Sequence, residues 1–379
     1  MDLKELRKQI DVIDDQIAKL YAERMEVSKN VAITKKENNI QLENKDREKE
    51  ILDRVTSEMP EDIKLYATQV YDTLFRTSKA YQSRLLDLKS NTKSLIEESL
   101  QKGMPKFPEN VTVCCQGISG SYSNLACEKM ISNPEITYVR DWNAVFNAVE
   151  MGLCKYGVLP IENSSVGSVN AVYDLINKHN CYIVRSTKYK IQHSFLTKPG
   201  VNIMDVNEIV SHEQALHQCS VFLDNFSKAT ISASTNTAVA ARIVSESDRN
   251  DLACISSPEC ADIYGLEVKR NNIQNNENNY TRFIVISKKL EIFEKANKIS
   301  IMVTLEHEPG SLNKMLNRFS TLGLNLTKLE SRPYGSNAFE FLFYFDFDAD
   351  IQREDVKNLI AELDNTCGKF VFLGAYQEI

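Results

Sequence analysis

Residues 3–31, LKELRKQIDVIDDQIAKLYAERMEVSKNV, repeat an apolar side chain at alternating steps of three and four. This spacing places the apolar side chains on one stripe of an α-helix. No glycine or proline occurs from Met1 to Met59, so the helix can run from Leu3 to about Lys36. It would be about 50 Å long, which one small domain cannot cover. A dimer that shares its long helices is the simplest way to bury the stripe.

A cation interrupts this stripe, because Arg24 occupies the position between Leu20 and Val27. Lys35, eleven residues further on, points in nearly the same direction. A buried cation is costly unless an anion meets it, so the sequence leaves two interpretations open. The arginine can snorkel or pair with a carboxylate of another helix, or it can bind an anionic ligand. Arg7 flanks the stripe, about 100° away from Arg24, and can reach a partner chain.

Composition excludes several classes of function. The length of 379 residues predicts two or three domains, and a net charge of −7 argues against nucleic acid as the main partner. No run of about eighteen apolar residues occurs and the N-terminus is charged, so we expect a cytoplasmic protein without a membrane segment. The nine cysteines lack zinc-site spacing, which predicts reduced thiols and no metal site. GxGxxG and P-loop motifs are missing, so no cofactor is expected.

The N-terminal region, residues 1–102, reads as one all-helical domain. After the first helix, a second starts near Asn44 or Asp46 and stops before Pro60. A third is predicted over about 61–101. The domain ends where glycine and proline first become frequent.

The rest of the chain divides into a linker and two further domains. Residues 103–110, GMPKFPEN, are the linker. In residues 111–288 short apolar strands alternate with helices, which predicts an α/β domain with largely parallel sheets and two lobes around a cleft. The strand candidates are VTVCC, ITYV, YGVLPI, CYIV, DLACI and RFIVI. Residues 298–379 follow the order strand, helix, strand, strand, helix, strand, which predicts an α+β ferredoxin-like fold.

Polar side chains mark the apolar faces of all three predicted N-terminal helices. On the third helix, Ser78 interrupts the apolar series and Gln82 lies on the same side. The second helix begins NKDRE and carries Arg47 and Glu48 in its first turns. With the cations of the first helix, these groups imply a pocket with several cations, one carboxylate and neutral donors. Such a pocket suits a small dianion.

The pattern LRxxID, AER, VAxxKK, DRE and SxxxQ over residues 1–90 resembles the all-helical class of chorismate mutase. By this resemblance, the two carboxylates of chorismate would be held by Arg24, Arg47 and Arg7 from a partner chain. The ether oxygen would be contacted by Lys35 and Gln82, the ring hydroxyl by Glu48, and the pocket would be lined by Ser78. Confinement and charge placement suit a rearrangement without a nucleophile. Asn44 stands where some relatives have an acidic residue, so its part in the hydroxyl contact is open.

Four segments of the α/β region carry polar residues at the ends of predicted elements. They are QGISGSYSN (116–124), PIENSSVGS (160–168), SHEQALHQC (211–219) and NYTRF (279–283). The first can offer free N–H groups to a carboxylate or can be a plain turn. The second follows a strand at its C-terminal end, where α/β sheets place their ligands.

Together these segments resemble prephenate dehydratase over about residues 110–288, with TRF and ENS as the most specific marks. The resemblance implies that Thr281 helps the ring hydroxyl to leave as water, coupled to loss of carbon dioxide. It also implies substrate contacts from Glu162, Asn163, Ser164, Ser211, Gln218 and Arg282. The segment STNTAVAA (234–241) would bind a carboxylate at a helix N-terminus through Ser234, Thr235 and Thr237.

The C-terminal motifs EPGSL (308–312) and LESRP (329–333) resemble an ACT regulatory domain of the phenylalanine-sensing kind. The resemblance implies that L-phenylalanine binds at a dimer interface and inhibits the dehydratase. The implied contact residues are Gly310, Ser311, Leu312, Glu330, Ser331, Arg332 and Pro333. A ferredoxin-like domain that only dimerises is the alternative.

The three resemblances, in this order, predict one enzyme that converts chorismate to prephenate and prephenate to phenylpyruvate. We expect a homodimer or a higher homo-oligomer. The alternative is a non-catalytic sensor with a periplasmic-binding-protein-like two-lobed domain, an ACT domain and a helical dimerisation arm. The polar interruptions of the helical stripes favour the enzyme, since a dimerisation arm has no need of them.

Overall fold

The computed structural model describes residues 2–38, 44–85, 89–334 and 341–379. Its N-terminal part is helical. The helices are α1 (Leu3–Glu37), α2 (Lys45–Ser57), α3 (Glu61–Leu85) and α4 (Asn91–Gln101).

The predicted long first helix is confirmed, since α1 has 35 residues. The first half of its apolar stripe is not covered by the residues that the structure describes: Ile10 is 55% exposed and Leu20 is 63% exposed. Further along, α1 packs against α3, where Ala32 and Phe75 are buried. The described chain therefore covers only one side of the second half of the helix, since Val27 and Ile33 there remain 61% and 46% exposed.

The prediction of one third helix to Gln101 is wrong, because α3 and α4 are separate and residues 86–88 lie outside the described ranges. Ser90 caps α4 by accepting a hydrogen bond from the Lys93 N–H (3.0 Å). Ile96 is fully buried in the core of the C-terminal region, and Lys93 Nζ lies 2.8 Å from Asn358 Oδ1. The structure thus differs from the expectation that residues 1–102 form one helical unit.

The middle region alternates strands and helices. Its elements are β1 (Thr112–Gln116), α5 (Tyr122–Met130), β2 (Glu135–Val139), α6 (Trp142–Glu150), β3 (Tyr156–Asn163), β4 (Gly167–Ser168), α7 (Asn170–Lys178), β5 (Tyr182–Lys190), β6 (Ser194–Thr197), β7 (Glu208–His212), α8 (Glu213–Gln218), α9 (Ser220–Leu223), β8 (Thr230–Ser234), α10 (Thr237–Glu246), β9 (Leu252–Ser256), α11 (Glu259–Tyr264), β10 (Glu267–Arg270) and β11 (Tyr280–Ser287). All six strand candidates are confirmed. The five strands that the sequence did not predict are short or polar.

These strands form two sheets, which confirms the two lobes. One lobe has the order β2-β1-β3-β11-β5 and the other has β10-β6-β9-β7-β8. In each sheet four of these five strands run in the same direction and one, β11 or β6, runs against its two neighbours. Two of the four strand pairings in each sheet are therefore parallel, and the expectation of largely parallel sheets is only partly right. The chain crosses between the lobes twice, at residues 191–193 and 271–279.

The C-terminal region has the predicted element order. Its elements are β12 (Lys298–Thr304), α12 (Ser311–Thr321), β13 (Asn325–Pro333), β14 (Phe341–Asp348), α13 (Glu354–Thr366) and β15 (Phe370–Glu378). The strands form an antiparallel sheet in the order β13-β14-β12-β15. Phe319 of α12 and Ile360 of α13 are buried with Ile299 and Phe345 of the sheet, so the core lies between the helices and this sheet.

One contact that the sequence did not predict joins this sheet to the first lobe. β15 pairs in parallel with β5 through Gln377 opposite Arg185 and Glu378 opposite Ser186, so a ten-stranded sheet runs through both regions. Gly374 makes this possible, because a Cβ there would lie 2.1 Å from the Ile183 carbonyl oxygen. Within the described ranges, no helix is long and apolar enough to cross a membrane.

Candidate functional site

Arg24 lies between α1 and α3 among neutral partners. Its Nη1 donates to the Leu74 carbonyl oxygen (3.1 Å) and to Ser78 Oγ, and its guanidinium lies 5.9 Å from the centre of the Phe75 ring. Ser78 is 5% exposed and Gln82, one turn further along α3, is 7% exposed. Among the described residues Arg24 forms no ion pair, so a carboxylate on a neighbouring helix does not explain it.

The described α2 residues divide between a partly buried side and an exposed side. Glu48 Oε1 lies 3.0 Å from Lys79 Nζ on α3. The sequence did not indicate this lysine, because lysines are common on exposed helix faces. Arg47 is exposed and pairs with Glu50 on its own helix. Asn44 accepts a hydrogen bond from the Arg47 N–H (3.0 Å) and so caps α2.

The remaining cations of the predicted pocket lie on α1. Lys35 is partly buried, whereas Arg7 is exposed near the N-terminal end of the uncovered stripe. The described chain therefore joins Arg24 to Ser78 and leaves Arg7 facing outward.

The start of β11 and the end of β3 bring the ENS and TRF motifs together. Thr281 is opposite Asn163, and Arg282 is opposite Glu162. Residues opposite each other on neighbouring strands share a face, and consecutive residues alternate between faces. Asn163 and Thr281 therefore lie on one face, and Glu162 and Arg282 on the other.

The face of Asn163 and Thr281 carries a chain of uncharged hydrogen-bonding groups. Asn163 Nδ2 donates to Thr281 Oγ1 (2.9 Å) and to Asn279 Oδ1 (2.9 Å). Asn279 Nδ2 donates to Gln218 Oε1 (3.0 Å), which also lies 3.0 Å from His193 Nε2. Asn163, Asn279, Thr281 and His193 are each less than 10% exposed. We call these four residues, together with Gln218, the amide chain.

The amide chain lies where the polypeptide crosses between the lobes, since His193 and Asn279 belong to the two crossover segments. Clefts between lobes are common ligand sites. Sequence reasoning missed His193 and Asn279. The available signal was a polar pair, Gln192 and His193, directly before the short run SFLT (194–197).

Tyr122, at the start of α5, closes the far end of the amide chain. Its hydroxyl donates to the Gln192 carbonyl oxygen (2.5 Å) and lies 3.4 Å from His193 Nδ1. Burial lowers the pKa of His193 and raises that of Tyr122, so both side chains are neutral near pH 7. In the part of the chain that the structure describes, no group of three His, Cys, Asp or Glu side chains could hold a metal ion.

The face of Glu162 and Arg282 contacts the C-terminal region instead. Arg282 Nη1 donates to Asp346 Oδ2 (2.5 Å), and Arg282 Nη2 donates to the Tyr376 hydroxyl (2.7 Å). Burial opposes the charge, but Tyr376 and Asp346 hold the pKa of Arg282 above its ordinary value. Contact of Arg282 with a substrate held at Thr281, as expected from the sequence, is not supported, because consecutive strand residues point to opposite faces.

Glu162 is turned away from Thr281 for the same reason. Its Oε1 lies 3.0 Å from Lys328 Nζ of β13, and Lys328 also donates to Ser168 Oγ (2.8 Å). A carboxylate of the first lobe is thus paired with a cation of the C-terminal region. Its expected substrate contact is likewise not supported.

The predicted hydroxyl residues mostly serve local structure. Ser211 is fully buried and donates to the Ile255 carbonyl oxygen (2.6 Å), and Ser234 donates to the Asn236 carbonyl oxygen (2.9 Å). Ser164 donates to the Asn278 carbonyl oxygen (2.9 Å) and accepts from the Tyr280 N–H. At the start of α10, Thr235 is exposed and Thr237 is buried. Of the predicted residues in the second lobe, Gln218 joins the amide chain.

Three N–H groups of the glycine-serine turn are engaged within the chain. The Gly120 N–H donates to Asn124 Oδ1 (2.7 Å), the Gly117 N–H to the Val139 carbonyl oxygen (3.0 Å), and the Ser121 N–H to the Ile118 carbonyl oxygen (3.0 Å). The plain-turn alternative fits these contacts better than a carboxylate site.

The two C-terminal motifs lie at the C-terminal ends of two strands that run in the same direction. β12 and β13 are both antiparallel to β14, so Gly310, which follows β12, and Pro333, the last residue of β13, lie towards the same end of the sheet. Glu330 accepts a hydrogen bond from Ser168 Oγ (2.5 Å), and Arg332 pairs with Asp174 of α7 (3.0 Å). Two of the predicted phenylalanine contacts are therefore held by the first lobe.

Comparisons with known proteins agree with the resemblances to chorismate mutase and to prephenate dehydratase. The prephenate dehydratase family model matches residues 113–291, and the chorismate mutase type II model matches residues 6–83. The chain is 38% identical over 282 residues to arogenate dehydratase/prephenate dehydratase 1 of Arabidopsis thaliana, covering 70% of this chain and 72% of the relative. It is 28% identical over 377 residues to the bifunctional chorismate mutase/prephenate dehydratase of Escherichia coli K12. This match covers 98% of this chain and 95% of the relative.

A solved structure is also similar. The prephenate dehydratase of Arthrobacter aurescens, in complex with L-Phe, aligns with a TM-score of 0.63 and 30% identity. The alignment covers 70% of this chain and 90% of that chain.

Proposed function

Because this chain belongs to the prephenate dehydratase family and carries a type II chorismate mutase region as well, it is an enzyme with both activities, and we propose where each reaction takes place. Dehydration takes place at the amide chain, on the face of Asn163 and Thr281. The observation that carries this is the buried 2.9 Å hydrogen bond between these two side chains at the crossover of the lobes.

The reaction at this site needs little more than orientation and a hydrogen-bond donor. The bond between the ring and its carboxylate breaks, and its electron pair makes the ring aromatic as the hydroxyl group leaves. The hydroxyl takes up a proton and departs as water, and the carboxylate departs as carbon dioxide. The Thr281 hydroxyl donates to the leaving oxygen in the transition state. Gln218 contacts the substrate from the second lobe.

The carboxylate of the side chain is bound at the start of α10. The helix N-terminus offers N–H groups and a favourable dipole, and Thr235 is exposed there. Four further substrate contacts stay predictions, namely Ser164, Ser211, Ser234 and Thr237. The hydroxyl groups of the three serines donate to backbone carbonyl oxygens, and Thr237 is buried, so none of the four is displayed for a ligand.

The mutase reaction takes place between α1, α2 and α3. Arg24 without a carboxylate partner supports a substrate carboxylate as its counter-ion. Ser78 and Gln82 line the pocket, Lys35 and Gln82 contact the ether oxygen, and Glu48 contacts the ring hydroxyl. Because Glu48 is paired with Lys79, chorismate would have to share this carboxylate with the lysine.

A second copy of the chain completes the mutase site. The stripe from Leu3 to Leu20 is exposed over several turns of α1, an apolar surface that soluble monomers rarely leave uncovered. Antiparallel pairing of two α1 helices buries it and brings Arg7 from the partner chain toward the substrate at Arg24, whereas parallel pairing in register would leave that Arg7 about 25 Å along the helix from Arg24. We therefore propose a homodimer, with Arg7 and Arg47 supplying further carboxylate contacts.

Residues 298–379 are a ferredoxin-like ACT domain that senses L-phenylalanine. The βαββαβ order and the shared edge of GSL and ESRP support a ligand site formed by Gly310, Ser311, Leu312, Glu330, Ser331, Arg332 and Pro333. The similar Arthrobacter enzyme was solved with L-Phe. Glu330 and Arg332 would have to leave Ser168 and Asp174 to contact a ligand, which would couple its binding to the first lobe.

The domain borders follow from these assignments. We propose 1–85 as the mutase domain, since α4 packs with the C-terminal core, and keep 103–110 as the linker and 111–288 as the dehydratase domain. A cytoplasmic location stays a prediction.

Arogenate is a second candidate substrate, because the relative with 38% identity is named for both arogenate and prephenate. The two molecules differ by an amino group in place of a keto group on the side chain. The test is to supply purified enzyme with chorismate, prephenate or arogenate and to follow prephenate, phenylpyruvate and phenylalanine. We expect phenylpyruvate from chorismate by way of prephenate. No turnover of chorismate or prephenate would contradict the assignment.

A further inference from the structure

His193 lies at the end of the amide chain furthest from Thr281. Its side chain is 2% exposed, and its backbone is held by the second crossover on both sides. The His193 N–H donates to Gln274 Oε1 (3.0 Å), and its carbonyl oxygen accepts from the Ile273 N–H (3.0 Å). The ring is therefore fixed in place before a substrate binds.

The direction of the amide chain is set by two backbone groups. The N–H groups of Ser165 and Val166 both donate to Asn163 Oδ1, at 2.9 Å and 3.0 Å. A backbone N–H can only donate, so this atom is the oxygen and the other terminal atom of Asn163 is the amide nitrogen. Asn163 must then donate to Thr281 Oγ1 and to Asn279 Oδ1.

The same reasoning continues to the histidine. Asn279 uses its oxygen for Asn163, so its nitrogen donates to Gln218 Oε1. That oxygen lies 3.0 Å from His193 Nε2 and can only accept. His193 must therefore carry its proton on Nε2. Since burial lowers the pKa of His193, the ring is neutral and Nδ1 carries no proton. The Tyr122 hydroxyl donates to the Gln192 carbonyl oxygen at 2.5 Å, so its 3.4 Å approach to Nδ1 is only a weak second contact.

The consequence at the other end concerns Thr281. Its Oγ1 accepts from Asn163, and within the described chain its hydroxyl hydrogen has no acceptor. A hydroxyl whose oxygen is already engaged keeps its hydrogen for a ligand. If His193 carried its proton on Nδ1, His193 Nε2 and Gln218 Oε1 would both be acceptors and would face each other. The side-chain amide of Gln218 would then turn to present its nitrogen.

We propose that His193, protonated on Nε2, is a positioning residue for the dehydratase: it completes a hydrogen-bond chain whose direction makes Thr281 a donor to the leaving hydroxyl. The inference rests on the proposed location of the dehydratase site at Thr281. His193 touches neither the substrate nor the reacting atoms.

Two substitutions distinguish the effect of losing the His193 hydrogen bond from the effect of losing the ring itself. His193→Leu removes the donor, whereas His193→Gln can place an amide N–H near the position of Nε2. We expect His193→Leu to lower kcat for prephenate by about ten- to a hundredfold with little change in KM, because Gln218 Oε1 loses one of its two donors and the amide chain is no longer held at that end. His193→Gln should recover most of this loss. Mutase activity of the same samples, unchanged in both variants, reports that the chain is folded.

The tautomer itself can be observed. ¹⁵N NMR of enzyme labelled at its five histidines should show one neutral ring with its proton on Nε2, and that signal should vanish in His193→Gln. A neutral ring protonated on Nδ1 would overturn the proposal, as would unchanged kcat in His193→Leu alongside an inactive Thr281→Ala variant. Full dehydratase activity in Thr281→Ala would instead remove the proposed site, and this inference with it.

Discussion

The two catalytic regions of this chain differ in charge and in completeness. In the helical region Arg24 lies against neutral groups beside an apolar stripe that is largely exposed. In the α/β region the amide chain from Thr281 to His193 is uncharged, mostly buried and closed within one chain. A rearrangement of a dianion needs placed cations, whereas a dehydration driven by aromatisation needs oriented donors. The difference predicts that the two activities can be removed independently.

The largest effect is expected at Thr281. Thr281→Ala removes the donor to the leaving hydroxyl and should lower dehydratase kcat by about 10²–10⁴-fold. Thr281→Ser keeps the hydroxyl group and is the matched control. Chorismate consumption should match the unmodified enzyme in both variants, followed as prephenate accumulation. Dehydratase activity near the original level in Thr281→Ala would show that the amide chain is not the site.

Arg24→Ala should produce the opposite pattern. It removes a cation from the mutase pocket and should lower mutase kcat/KM by about 10²–10³-fold. Arg76, a partly buried arginine on α3 that donates to Thr73 Oγ1 (2.9 Å) of the same helix, provides the control substitution Arg76→Ala. Dehydratase activity with added prephenate should persist. A change in helix association without loss of mutase activity would instead indicate a structural arginine.

The ion pair between Arg282 of the first lobe and Asp346 of the C-terminal region should contribute to the free energy of unfolding. Arg282→Met leaves the buried Asp346 carboxylate without its cation and should lower the free energy of unfolding by about 3 kcal/mol. Thermal unfolding of this variant and of the double variant Arg282→Met/Asp346→Leu checks it. The double variant should regain part of the loss, because it buries no unpaired charge. Equal losses in both would rule out this pairing as the cause.

The smallest expected effect is a pH dependence of stability. Burial lowers the pKa of His193 in the folded chain, so below about pH 6.5 the unfolded chain binds a proton that the folded chain does not. Stability should therefore fall with falling pH, by at most about 1.4 kcal/mol per pH unit for this group. Denaturant unfolding of His193→Gln between pH 5 and 7, compared with the unmodified chain, should show a shallower fall. Parallel curves would contradict the buried neutral ring.

Much of this architecture is predictable from periodicity. The stripe of α1 and the six apolar strand runs are confirmed because burial of one face imposes a repeat on the sequence. The pairing of β15 with β5 was not predictable, because an extended strand edge carries no mark of its partner. Nor does helical periodicity reveal that α4 leaves α3 for the C-terminal core.

The site shows a more specific limit. A sequence motif groups residues that are consecutive in the chain. Glu162 and Asn163 are consecutive, yet their side chains point to opposite faces of the strand, and the same holds for Thr281 and Arg282. The two-residue period of a strand contains this information, and applying it would have separated the pairs. The amide chain could not be found in this way, since His193 and Gln218 meet Asn279 only through the folding of two crossovers.

Subunit mixing tests the central contrast most directly. In a heterodimer of Arg7→Ala and Arg24→Ala chains, one mutase site contains both substitutions and the other contains neither. Mixing the two inactive variants under conditions of subunit exchange should restore mutase activity to about a quarter of the unmodified level. Mixing Thr281→Ala with Gln218→Ala should restore no dehydratase activity, because both side chains belong to one chain's site. Failure of the first pair to complement, or success of the second, would contradict a shared mutase site and a self-contained dehydratase site.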